Sequence, residues 1–360
     1  IFIREWRVAQ RSGLTFDKHK YFTLFNYPWS LNAYKKSELF REIYAQDRHQ
    51  FIGQALIQNV GMMFNGNNNR LIDNVIGEAH FTVKISRDNI LEDCLNYLVG
   101  GNANLKKPLR VIFNNEPAID EGGVKKELFQ LVFKELFKPD FGMFNYNPDL
   151  RLYWFNGYSF EPPVNFHLAG ILMGLAASNQ VIIDIPIMSA CYKYILGQKA
   201  DITDLQAWQP EVASSFKYIL EYEEEEPLEE VLHRTFTIDL ESYGETISRP
   251  LKVDGEKVYV TKENREEFVS LYIDCLFYQQ CASQLDEFKK GFFKLFDQNI
   301  LVELYNPEEL EQFVCGTKIL DFKTLQKVTK YIQPLSPNHQ FVLWFWDIVH
   351  NLLDDTQRRQ

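Results

Sequence analysis

The stretch Arg110–Phe137, RVIFNNEPAIDEGGVKKELFQLVFKELF, decides how this chain is read. Leu109-Arg110-Val111-Ile112-Phe113 is rich in β-formers and predicts a buried strand. Asn114-Asn115-Glu116-Pro117 ends it. Asp120 is placed to cap a helix in which Val124, Leu128, Leu131, Val132, Leu136 and Phe137 recur at helical spacing. Gly122 and Gly123, between cap and helix, suit a tight turn or a close backbone approach. A strand, a glycine pair and a helix start can also cradle phosphate. Here Asp120-Glu121 would repel it, and the Gly-x-x-x-x-Gly-Lys-Ser/Thr spacing is missing, which disfavours a nucleotide-dependent enzyme.

Upstream, Phe81-Thr82-Val83-Lys84-Ile85 alternates like a strand, and Ser86-Arg87-Asp88 opens a helix over about residues 89–98. Downstream, residues 144–155 carry two short aromatic strands around Asn147-Pro148-Asp149. HLAGILMGLAAS, residues 167–178, is apolar nearly all round and predicts an interior helix. Its Gly170 and Gly174 are spaced for a close helix crossing, a packing device rather than a membrane motif. Pro186 precedes a helix around residues 188–196. Residues 1–65 mix aromatics (Phe22, Phe25, Trp29, Phe40, Phe51, Phe64) with helical stretches, and Gly66-Asn67-Asn68-Asn69 predicts an exposed loop. From about Leu205 the texture turns to amphipathic helices with Glu-rich loops, and near Leu285 the aromatic-rich pattern resumes in FKKGFFKLF. Residues 205–282 therefore read as a subdomain inserted in a larger helical body, in a fold of the α+β class that is mostly helical.

The chain has 360 residues, 46% hydrophobic and 15% aromatic, with 29 Phe and 18 Tyr, so it has ample material for a core. A net charge of −11 argues against a general nucleic-acid binder and suits a basic protein partner. The five cysteines, Cys94, Cys191, Cys275, Cys281 and Cys315, are scattered and form no zinc spacing. They are expected to be reduced thiols of a protein of the cytosol or nucleus. No run of 18 or more apolar residues spans a membrane. The start, Ile1-Phe2-Ile3-Arg4-Glu5-Trp6, lacks an initiator Met and a signal-peptide pattern, and is expected to be an internal start within a longer protein.

Two amphipathic stripes lie in the inserted segment. Val212, Phe216, Ile219 and Leu220 share one helical face; Phe268 and Tyr272, with Leu276, form another. Such stripes are ordinary core in most domains, and a partner-binding face in some. Between them runs EYEEEEPLEE, Glu221–Glu230, with seven glutamates in ten residues. A run of this kind is a solvated loop, or beside an apolar groove a device that steers a basic partner and weakens with salt. Catalytic constellations are poor. His167 and His350 have no Ser or Cys at motif spacing, and His167 reads as satisfying a core hydrogen bond. Cys315 lacks the nearby cation or His that would lower its pKa and reads as structural.

Several of these residues resemble the HECT-type ubiquitin ligases. They are Asp120-Glu121-Gly122-Gly123-Val124-x-x-Glu127-x-Phe129, Phe141-Gly142-Met143-Phe144, Leu152-Tyr153-Trp154-Phe155-Asn156 and Gly170-x-x-x-Gly174-Leu175-Ala176. Asn264-Arg265-x-Glu267-Phe268-Val269, PEELEQFVCG at residues 307–316 and Phe345-Trp346-Asp347-Ile348-Val349-His350 continue the likeness in the same order. The match covers about residues 80–355. It is nearest to the papillomavirus-oncoprotein-associated ligase and the RCC1-repeat ligases.

The resemblance implies a helical N-lobe joined by a hinge to a smaller C-lobe. Residues 1–80 would be an N-terminal extension, packed along the N-lobe, and its start. Residues 81–204 and 283–328 would form the large N-lobe subdomain, and 205–282 the small subdomain that binds a ubiquitin-conjugating enzyme. Residues 329–337 would be the hinge and 338–360 the beginning of a C-lobe, truncated here, with a helix over 341–353. Val212, Phe216, Ile219, Leu220, Tyr222, Phe268 and Tyr272 would line the conjugating-enzyme groove, open enough to take a visiting aromatic ring. The acidic loop differs in composition from those relatives, so the preferred conjugating enzyme is expected to differ. The family's thioester cysteine sits in a Leu-Pro-x-x-His-Thr-Cys-Phe pattern, absent here and expected beyond Gln360, so no catalytic residue is assigned and the chain alone is expected to be inactive. Implied partners are a conjugating enzyme, ubiquitin and protein substrates, with no nucleic acid, membrane, metal or organic cofactor. The rival from another class is a ligase-derived scaffold that binds partners without passing ubiquitin.

Overall fold

A computed structural model describes residues 27–59, 75, 77–101, 104–116, 122–242, 244–317, 321–354 and 357–358, leaving aside the side chains at 43, 46–48, 241 and 242. The expected cap Asp120 and the loop at 66–69 lie outside these residues. Helix α1 (Ala33–Gln58) comes first, then strand β1 (Phe81–Ile85), α2 (Ile90–Leu98), β2 (Leu109–Phe113) and α3 (Gly123–Leu136). The two strands pair in parallel, Phe81 opposite Leu109 through Ile85 opposite Phe113. Parallel neighbours need a crossover, which α2 supplies. Phe81, Val83 and Ile85 are buried with Leu109, Val111 and Phe113, the period-2 face of a half-buried strand. Ile90, Cys94 and Leu98 recur every fourth residue on α2 and are buried too. Helix α3 opens after Gly122, whose φ of +106° strains any residue with a Cβ.

A hairpin follows, β3 (Phe144–Asn147) and β4 (Leu152–Phe155), with Phe144 opposite Phe155. Its turn is held by the Asn147 side chain, which accepts from the Asp149 and Leu150 amides, both at 3.1 Å. Helix α4 (Pro163–Ser178) runs through the interior, buried on every side from Leu168 to Ala177. Then come α5 (Ser189–Ile195), α6 (Ile202–Trp208), α7 (Pro210–Glu221) and α8 (Leu228–Leu232). An antiparallel ribbon, β5 (Thr237–Ser242) and β6 (Glu245–Pro250), leads to α9 (Arg265–Phe277) and α10 (Ala282–Phe292). The first compact unit closes with α11 (Gln298–Leu304) and α12 (Pro307–Cys315).

The expected close crossing is there, and its partner is α10. A Cβ on Gly170 would run into the Phe288 carbonyl, and one on Gly291 into the His167 carbonyl. At Gly174 it would lie 3.1 Å from the Phe292 carbonyl oxygen. Glycine on both helices lets two backbones touch where side chains would hold them apart. Helix α1 packs onto the same body through Phe40, whose ring centroid lies 5.2 Å from Phe296 and 5.1 Å from Phe313. Its buried Lys36 ion-pairs Glu309 at 2.5 Å.

The second compact unit starts at Gly316 and holds α13 (Phe322–Val328) and α14 (Gln340–Asp347), which continues as a π-turn over Ile348–Leu352. Its small core is Val342, Trp346 and Val349, with Trp346 Nε1 donating to the Tyr331 hydroxyl at 2.7 Å.

Candidate functional site: the aromatic layer between two helices

Helices α7 and α9 face each other, and the seven predicted site residues fall in or beside that contact. Phe216 lies 5.5 Å from Phe268 and 4.7 Å from Tyr272, the rings nearly perpendicular in the second pair. Phe268 meets Phe236, just before β5, at 5.4 Å. Edge-to-face packing of this kind matches positive ring edges to negative ring faces. Phe216, Ile219, Tyr222, Phe268 and Tyr272 are all buried, Phe268 completely, while Val212 and Leu220 are half-buried.

The open slot expected between two aromatic walls is therefore closed in this conformation. Phe216, Phe268 and Tyr272 pack on one another, and Phe236 covers Phe268 from outside the two helices, so the rings meet each other instead of leaving apolar faces in water. Sequence reading missed Phe236 because it lies outside both stripes. What the surface offers is Val212, Leu220 and Tyr218, the last 54% exposed.

The acidic run starts at the end of α7 and is held in place by two cations. Arg265 donates to the Tyr222 carbonyl at 2.6 Å and to a Glu223 carboxylate oxygen at 2.9 Å. That hydrogen bond pulls the Glu223 carboxyl below its ordinary pKa. Lys262 donates to the Glu224 carbonyl at 2.5 Å and sits over the Tyr222 ring. Asn264 orders the turn before α9, accepting from the Thr261 amide at 2.8 Å and donating to the Tyr259 carbonyl at 2.9 Å. The Asn264-Arg265 pair was visible as a motif, but its role as a clip was not. Glu224, Glu225 and Glu226 are left exposed.

An ionic cluster, buried at Lys193 and Asp204, links α5 to the start of α6. Lys193 donates to Asp201 at 2.8 Å and to the buried Asp204 at 2.5 Å, and the Ser189 hydroxyl donates to Asp204 at 2.7 Å. Burial alone would raise the Asp201 pKa, but the Lys193 and Thr203 hydrogen bonds outweigh it and hold that carboxyl down at about 2.

No cysteine is set up as a nucleophile. Burial pushes Cys94 and Cys281 up to about 12 and raises Cys191, Cys275 and Cys315 as well. Cys315 lies 3.2 Å from the Tyr192 hydroxyl, consistent with a structural thiol. His167 Nδ1 is 3.2 Å from a Glu287 carboxylate oxygen without hydrogen-bond alignment, and its pKa is lowered first by burial. In place of the core hydrogen bond expected of it, His167 makes an unaligned contact with the Glu287 carboxylate. His350 pairs with Gln326 at 2.8 Å. Among the described residues no group of three or more His, Cys, Asp or Glu could hold a metal, and no helix is long and apolar enough to cross a membrane.

Residues 130–360 match the profile of the HECT-domain (ubiquitin-transferase) family. The chain belongs to the HECT family. This HECT chain is 36% identical over 331 residues to human "Probable E3 ubiquitin-protein ligase HERC4", covering 92% of the chain and 31% of that protein. To human "Probable E3 ubiquitin-protein ligase HERC3" it is 34% identical over 330 residues, 91% of the chain and 31% of that protein. To mouse "Probable E3 ubiquitin-protein ligase HECTD2" it is 32% identical over 361 residues, 96% and 45% respectively. The HECT chain thus spans from just under a third to just under half the length of these relatives, and HERC4 and HERC3 support the RCC1-repeat branch.

Proposed function

We propose that this chain is the lobe of a HECT ubiquitin-protein ligase that docks a ubiquitin-charged conjugating enzyme. In the reaction a cysteine thiolate attacks the thioester carbonyl of ubiquitin and the conjugating enzyme's thiolate leaves; a substrate lysine amine later attacks the new thioester, loses a proton and expels the cysteine thiolate as the amide forms. All five thiols here are buried or half-buried with raised pKa values, which supports reading none of them as the accepting cysteine. The observation that carries the docking role is the rim of the α7–α9 layer. Half-buried Val212 and Leu220 and exposed Tyr218 lie beside an acidic loop clipped in place by Arg265 and Lys262. An apolar anchor beside fixed negative charge suits a small, basic, fast-exchanging partner. The closed rings beneath serve as the rigid support of that rim.

Titration of the ¹⁵N-labelled chain against a panel of conjugating enzymes tests this. Shifts are expected at Val212, Tyr218, Leu220 and the Glu223–Glu230 amides, with Leu220→Ala weakening binding about tenfold, or ~1.4 kcal/mol. Shifts confined to other surfaces, with Leu220→Ala binding like the parent, would defeat the docking role.

A further inference from the structure

A second surface has the features of a binding site and lies away from that layer. Between α3 and the extended stretch Gln180–Pro186 runs an open groove of about 680 Å³. Phe129 and Phe133 of α3 form one side of its floor, Val181, Ile183 and Ile185 the other, all buried. From Val181 to Ile187 burial strictly alternates, with Ile182 66% exposed. That is the signature of a strand, yet little pairs with it. Among the described residues its β-bridge to another strand lies at the far end, where Tyr153 bridges Ile187 in parallel and donates to the Pro186 carbonyl at 2.7 Å.

The amides of Val181 and Ile183 turn toward the body, donating to the Ala176 and Val314 carbonyls. Successive amides of an extended chain point to opposite sides. Those of Ile182 and Asp184 therefore face away from that side, and neither has a main-chain acceptor among the described residues. An unpaired edge of this kind is a template for another strand.

Charge indicates what kind of strand. Lys126 and Lys134 stand two turns apart on α3, and Arg151 reaches the groove from the β3–β4 turn, where its φ is +55°. All three are exposed, and none makes an ion pair among the described residues. Asp184 is the single carboxylate on the lining, so the groove is positive on a chain whose net charge is −11. We propose that this groove captures an extended acidic segment of a partner protein, which adds as a strand along Ile182–Asp184 and sets its carboxylates on Lys126, Lys134 and Arg151. Main-chain bonds would supply affinity and the cations selection, the division of labour of strand addition.

The inference is independent of ubiquitin transfer and is tested on the chain itself. The probe is a fluorescein-labelled eight-residue peptide alternating valine with aspartate or glutamate, read by fluorescence polarisation. Two comparators carry lysine at the acidic positions, or N-methylated amides on the bonding edge. The acidic peptide is expected to bind, with affinity falling as salt rises. Each comparator, and the Lys126→Glu/Lys134→Glu double variant, is expected to lose about tenfold or more. Circular dichroism checks that the variant keeps its fold; Gln130→Glu, between the two lysines, is a second variant expected to weaken binding in the same direction. No binding at millimolar peptide, or equal binding of the lysine peptide, overturns the proposal. Equal binding of the N-methylated peptide overturns the strand addition.

Discussion

Gly170→Ala is the substitution whose consequence follows most directly from the backbone. A helix-interior glycine replaced by alanine ordinarily gains ~0.8–1.0 kcal/mol of helix propensity. At Gly170 the new methyl would overlap the Phe288 carbonyl and lie 2.9 Å from the Phe292 amide nitrogen. Both obstacles are main chain in α10, so no side chain can rotate out of the way. The two helices must separate by on the order of 1 Å, loosening contacts along a fully packed interior. Overpacking costs about 1–3 kcal/mol, with backbone obstacles at the upper end, so a net loss of ~2 kcal/mol is expected after the propensity gain. Gly53, in α1, has nothing within 4 Å of a Cβ and supplies the control, where alanine should stabilise. Urea unfolding followed by circular dichroism reads both as midpoint shifts of opposite sign at unchanged slope. Equal, stabilising shifts at Gly170 and Gly53 would refute the close crossing.

Phe268→Ala should cost about 3–5 kcal/mol of stability, because the ring is fully buried among Phe216, Phe236 and Tyr272, so thermal denaturation and not partner titration is its assay. Lys193→Met leaves buried Asp204 without its counter-charge and should destabilise by about 3–5 kcal/mol, with Asp204→Asn introduced alongside recovering part of the loss in the same unfolding measurement. The Asp201 carboxyl, held down at about 2 against an ordinary 3.8, stabilises the fold fully above about pH 4 and loses that contribution as the pH falls through about 2. The unfolding midpoints of parent and Asp201→Asn should therefore converge across that window, and a gap that stays constant would contradict it. Docking of a conjugating enzyme should weaken as salt rises, through Glu224–Glu226, and an affinity flat with salt would remove the acidic loop from that role.

Local pattern was enough for much of the molecule. The alternation at 81–85, the β-rich run at 109–113, the four-residue recurrence of Ile90, Cys94 and Leu98, and the all-round apolarity of Leu168–Ala177 each match the element that contains them. Burial follows such a pattern because side chains leave the backbone in fixed directions. The Gly170 and Gly174 spacing likewise announced a close helix crossing, and the ordered motifs announced the HECT family. Partner choice is another matter. Only tertiary structure put α10 against Gly170, paired β1 with β2 in parallel, and brought Phe236 against Phe268, so that an expected slot is a closed layer. The same holds for the groove, where Lys126, Arg151 and Ile182 meet from three separate segments. An amphipathic stripe records that a face avoids water; whether its cover comes from a distant ring of the same chain or from another protein is settled only when the chain has folded.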